Sequence, residues 1–180
     1  SKNEYPYAEW EKKREKVKER LRNLRVYVKQ AVDALQREEQ SKGRPPVIDL
    51  EKKVMLFLYA RMLNKSNRGM EELLEVFQPL FGFDVSYKTI ERLYSDEEVS
   101  AALHNLFILL VREEGVSGNF SGDGSGYSLS VETHYRTQPI KKGKKYVYTL
   151  KIIDIENGMY VGIGFSTVSE MDGYRKAITL

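Results

Sequence analysis

The stretch KYVYTLKIIDIENGMYVGIGFSTVS, residues 145–169, decides how the chain is read. Upstream of residue 117 the apolar residues recur at helical spacing; here they alternate. Tyr, Val, Ile and Thr dominate residues 145–155 and 159–169, the composition of half-buried strands. Between them, Asn157 and Gly158 give the strongest hairpin signal in the sequence. A third strand is expected at GYSLSVE (126–132), joined to the hairpin by a longer, basic connection, THYRTQPIKKGKKY. The three form an antiparallel meander, and SEMDGYRKAITL after it reads as the start of a helix.

Upstream the chain is helical. From Trp10 to Leu35 the apolar residues Val17, Leu21, Leu24, Val28, Ala31 and Leu35 alternate steps of four and three, a heptad seam on one long helix. Its other faces carry Lys12, Lys13, Arg14, Lys16, Lys18, Arg20, Arg22 and Arg25 interleaved with glutamates: a solvated face, a pairing helix or a basic DNA-contacting arm. SKGRPPVIDL ends the pattern, because Gly43, Pro45 and Pro46 cannot continue a helix and Asp49 is placed to cap the next. Helices follow at about 50–64, 69–81 and 86–94. In the turn GFDVS, Gly82 can take the left-handed conformation, Val85 can plug the turn, and Ser86 is an N-cap with Glu91 following.

This helix, turn and helix reads as a helix-turn-helix. Ile90 and Leu93 would be buried while Tyr87, Lys88 and Arg92 face a partner, in DNA the major groove. The reading requires Glu71, Glu72, Glu75, Glu91, Asp96, Glu97 and Glu98 to face away from phosphate. A further apolar helix at 96–111 reads as core, and His104 within it as a satisfied core histidine.

Composition narrows the classes. Of 180 residues 41% are hydrophobic, enough for a core, and no apolar run approaches the ~20 residues of a membrane span. The first thirty residues are charged where an export signal would be apolar, and the absence of cysteine fits a reducing compartment. Net charge is only +3, but it is unevenly distributed. Residues 1–45 carry 13 Lys/Arg against 8 Asp/Glu, residues 46–119 carry 8 against 12, and residues 120–180 carry 8 against 6. Any polyanion site must therefore be a local cluster.

FSGDGSGYSLS, residues 120–130, sets Asp123 among Gly122, Gly124 and Gly126. A divalent cation prefers carboxylate oxygens, and glycines let backbone and substrate approach closely; alternatively Asp123 only caps a turn. GDGSG lacks the spacing of a nucleophile elbow and the lysine of a phosphate-binding loop, and neither His104 nor His134 has a visible partner.

In this order, the helix-turn-helix, SGDGSGYS, the basic loop, KYVYTLKIIDIENGMYVGIGFST and SEMDGYRKAI resemble DDE-type insertion-sequence transposases, including archaeal ones, over about residues 44–180. The resemblance implies an α+β fold: an N-terminal helical region with a helix-turn-helix, then the first three antiparallel strands of an incomplete ribonuclease H-like domain. It implies a division at 1–45, 46–117 and 118–180. Asp123 would end the first strand as the first of three acids holding Mg²⁺ or Mn²⁺, and Asp172 matches an acid that is usually not a ligand.

The family's other two acids lie beyond Leu180, so the resemblance implies an N-terminal portion that holds metal weakly by itself, and leaves open whether this chain is an enzyme. The implied activity is metal-dependent DNA cleavage and strand transfer. Charge then assigns Arg61, Lys65, Arg68, Tyr87, Lys88 and Arg92 to transposon-end DNA, and Lys141, Lys142, Lys144 and Lys145 to the backbone near the active site. A homo-oligomer through Trp10 to Leu35, no membrane partner, and a cytoplasmic, nucleoid-associated prokaryotic setting complete this reading. The alternative is a non-catalytic DNA-binding or dimerising protein acting as a transposition inhibitor.

Overall fold

The computed structural model describes residues 6–35, 48–128 and 146–179. The expected boundary near residue 45, the connection holding His134, and Lys141, Lys142, Lys144 and Lys145 lie outside the described residues. The chain forms two compact units, Ser1–Leu109 and Leu110–Leu180.

The first unit is helical: α1 Tyr7–Arg22, α2 Leu24–Asp33, α3 Leu50–Met62, α4 Asn67–Val76, α5 Gln78–Phe81, α6 Tyr87–Arg92, a 3₁₀ turn Leu93–Ser95, and α7 Glu97–Glu114, which runs on into the second. The single helix expected over Trp10 to Leu35 is two helices. Asn23, at φ −92° and ψ 3°, ends one and begins the other, as a residue whose side chain competes for backbone partners is prone to do. The heptad seam also divides. Val28 and Ala31 are buried, whereas Trp10, Val17 and Leu21 are about half exposed.

Local signals elsewhere act as read. Asp49 caps α3, its carboxylate accepting from the Lys52 N–H at 2.8 Å. The core is aliphatic: Val28, Val54, Leu56, Met70, Leu74, Ile90 and Val99 are at most 1% exposed. Two polar ties cross it. The Asn105 amide donates to the Ala31 carbonyl at 3.2 Å, and the Lys53 ammonium reaches Asp96 at 2.8 Å while Asp96 also caps α7 through Glu98 and Val99. His104, expected in the core, is exposed. It stands roughly half a turn round α7 from the buried Val99, Ala102 and Leu106.

The second unit is a three-stranded antiparallel sheet in the order β1 Phe120–Ser128, β2 Tyr146–Asp154, β3 Met159–Ser166, followed by α8 Glu170–Ile178. The chain is thus α+β with the expected meander. The hairpin between β2 and β3 has a four-residue loop, Ile155 to Gly158, in which Gly158 alone takes positive φ (+64°). An Asn-Gly two-residue turn would need it at both. The strands shift register between Ile152 and Ile153, where Val161 is the extra residue of a bulge.

Candidate nucleic-acid interface

Around α6 the structure assembles a basic and aromatic surface. Gly82 takes φ +72° at the end of α5, and Val85 is buried beneath the turn. Ser86 has N-cap geometry but its side chain makes no capping bond. Instead a Glu71 carboxylate oxygen from α4 accepts the Tyr87 N–H at 3.1 Å. That removes one glutamate from the surface, and Asp96 is likewise engaged with Lys53. Glu72, Glu75, Glu91, Glu97 and Glu98 remain exposed.

Ile90 and Leu93 anchor this segment in the core, as read. Lys88 and Arg92, four residues apart, share the opposite side of α6 and are exposed. Arg61, Lys65 and Arg68 are exposed too, on the end of α3, the following turn and the first turn of α4. Two of them are held in place. The Arg61 guanidinium carbon lies 5.2 Å from the centre of the Tyr94 ring, and that of Arg68 lies 5.2 Å from the centre of Tyr87. An Arg61 Nη2–H also reaches the Lys65 carbonyl at 3.4 Å. Tyr94, which sequence reasoning passed over, packs edge-on against Phe57 at 5.2 Å. No spacing rule would have found it, because its partner Arg61 comes from a different helix.

On the sheet, Asp123 is exposed at the fourth of nine positions of β1, in register with Lys151 of β2. The expectation that it ends the first strand is corrected, for pairing continues to Ser128. Side chains alternate across a strand, and the face of Gly122 and Gly124 is the one that α8 covers. A methyl group on Gly122 would meet the Tyr174 ring at 3.8 Å, and one on Gly124 would overlap the Glu170 carboxylate. The space beside Gly124 is taken by the Glu170 side chain of α8. Asp123 points to the sheet's other face, whose neighbours on β3 include the exposed Tyr160 and Phe165.

Two other acids of this unit, Asp154 and Asp172, are engaged within it. Asp154, fully buried, accepts from the Ser117 N–H and hydroxyl (both 2.6 Å), the Glu156 and Asn157 N–H groups (both 3.1 Å) and the Asn157 amide (3.2 Å). The Ser117 bonds foremost hold its carboxyl down at about 2. Asp172 accepts from the Ser166 hydroxyl at 2.6 Å and pairs with Lys176 at 2.9 Å, which keeps it ionised below the ordinary range. Among the described residues no group of three or more His, Asp or Glu side chains could hold a metal ion. Asp123 offers one carboxylate, which is not by itself a magnesium or manganese site.

The fold and surface thus define an α+β chain with a basic, tyrosine-braced helical face and a small sheet carrying a solitary exposed acid. The chain is similar to a known protein: it is 63% identical, over 177 residues and 98% of its length, to a probable transposase for insertion sequence element ISA1214 of Archaeoglobus fulgidus. It spans 55% of that protein's length. No protein-family model matches the sequence, and no solved structure does. Among the described residues no helix is long and apolar enough to cross a membrane.

Proposed function

We propose that this chain is the DNA-holding part of an insertion-sequence transposase, with α4, α5 and α6 as a helix-turn-helix that grips transposon-end duplex. The observation that carries the reading is the 63% identity to a probable transposase. The surface supports it: Arg61, Lys65, Arg68, Lys88 and Arg92 are all exposed, and Glu71 and Asp96 are drawn into caps and an ion pair. Lys88 and Arg92 face the major groove, where long cationic side chains reach base edges and phosphates.

In this reading the three strands and α8 begin a ribonuclease H-like domain, and Asp123 is its contribution to metal-dependent strand cleavage and transfer. Magnesium would supply the charge that clamps attacking and leaving oxygens. In this reading the further acids of the site belong to the part of the longer relative that this chain does not span.

The test is retention of duplex DNA at increasing salt by the wild-type chain and a Lys88→Ala/Arg92→Ala variant. Salt-sensitive retention that the double variant loses is expected. Equal retention by both would move the contact away from α6, and nicking of DNA by this chain with Mg²⁺ would overturn its role as a binding part only.

A further inference from the structure

We infer that Arg61 and Arg68 form a paired phosphate clamp whose geometry is set by Tyr94 and Tyr87, which act as positioning residues. This inference rests on the DNA-binding reading of the same face and assigns different tasks within it.

The two pairs are built alike. In each, an arginine from the elements preceding α5 lies at 5.2 Å over a tyrosine ring at one end of the α6 segment, Tyr87 at its start and Tyr94 in the 3₁₀ turn at its close. A guanidinium held against an aromatic face has that face occupied, and its in-plane N–H groups are left to bind a tetrahedral anion in a fork. The tyrosines are seven residues apart, about 11 Å along a helix, so the two arginines they brace are set at separate points of the face.

Position separates the clamp from base reading. Lys88 and Arg92 stand opposite the buried Ile90 and Leu93 and so project outward from α6. Tyr87 is half-buried, with its backbone N–H engaged by Glu71, and its ring lies at the flank with Arg68. In this proposal Tyr87, expected to meet DNA itself, orients the residue that does. The Arg61 bond to the Lys65 carbonyl adds a second restraint, fixing the guanidinium from its edge as the ring fixes its face.

The test measures affinity of the full 180-residue chain for two unrelated duplexes of about 30 base pairs across a salt series. Each phosphate contact contributes about 0.9 to the slope of log K against log salt, so Arg61→Ala and Arg68→Ala should each lower the slope by about 1, equally on both duplexes. Tyr94→Leu and Tyr87→Leu keep the charge, and should leave the slope nearly intact while weakening binding about threefold, as loss of an exposed cation–π contact does. Tyr94→Phe and Tyr87→Phe should restore it, since the ring face remains. Thermal melting of every variant separates these effects from loss of fold.

If wild type binds, Lys88→Ala/Arg92→Ala abolishes binding and the single arginine variants keep the full slope, the clamp is wrong and the α6 reading stands. If Arg61→Ala weakens one duplex alone, the arginine reads bases and the clamp is equally wrong. A wild-type chain that retains neither duplex overturns both.

Discussion

The two units of this chain build their interiors from opposite materials. In the helical unit the residues removed from water are Leu56, Met70, Leu74, Ile90, Val28, Val54 and Val99, an aliphatic interior of the kind that helices with one apolar face produce. Among the described residues of the sheet unit the buried apolar side chains are Leu150 and Ala177, and three polar ones, Thr149, Asp154 and Ser166, are buried with them. Close backbone approach replaces volume there: Gly162 and Gly164 of β3 lie directly against the backbone of Gly173 and Ala177 in α8. The first unit should fail when atoms are removed. The second should fail when atoms are added or when a carboxylate is silenced.

The largest effect expected is in the helical core. Leu56→Ala or Leu74→Ala empties a site with 0% exposure, and should cost about 3 to 4 kcal/mol in urea denaturation. A cost under 1 kcal/mol would mean that the helical interior is loosely filled and the contrast with the sheet unit is false.

Next comes the added atom. A methyl at Gly164 would overlap the Gly173 carbonyl oxygen and lie 2.7 Å from the Ala177 nitrogen, both backbone atoms that move only if α8 moves. Gly164→Ala should therefore cost about 3 kcal/mol by overpacking. Gly124→Ala meets instead the Glu170 side chain, exposed and able to swing aside, and should cost about 1 kcal/mol or less. Equal costs for the two would show that α8 is not held by backbone contact.

Acid distinguishes the units more gently. The Asp154 carboxyl falls from 3.8 to about 2 on folding, foremost through the Ser117 bonds. Because the folded value is depressed, the stabilisation is fully present above the unfolded value and is lost as pH drops through about 2. Asp154→Asn should melt about 5 °C or more below wild type at neutral pH, the amide placing donors where five donors already converge. The two curves should approach one another near pH 2. Parallel curves from pH 7 to 2 would show that the charge on Asp154 is irrelevant to the turn it closes.

These cases also show what was legible beforehand. Asp49, Gly82, Val85 and the Asn157-Gly158 hairpin were readable because a cap or a turn is settled within five residues. Asp123 was visible as an exposed acid in a strand. What lies beside Gly124 was not, since it is Glu170, forty-six positions later. The Arg61–Tyr94 and Arg68–Tyr87 contacts and the burial of Asp154 were hidden for the same reason, each joining separate elements. His104 was misplaced differently: apolar neighbours in sequence were taken for neighbours in space, whereas position round the helix decides exposure.

The smallest effect concerns the seam of α1 and α2, where one sequence pattern has two outcomes. Val28 and Leu21 fall on the same heptad stripe, yet Val28 is 0% exposed and Leu21 is 48% exposed. A repeat of 3.5 residues fixes which side of a helix is apolar and not what covers it. Val28→Ala should cost about 2 kcal/mol, since two buried methyl groups go, while Leu21→Ala should stay within about 0.5 kcal/mol. Denaturation at several protein concentrations sharpens the comparison. If Leu21→Ala costs more than 1 kcal/mol and the loss grows with concentration, a second copy of the chain covers the α1 stripe, and the seam is continuous across two molecules.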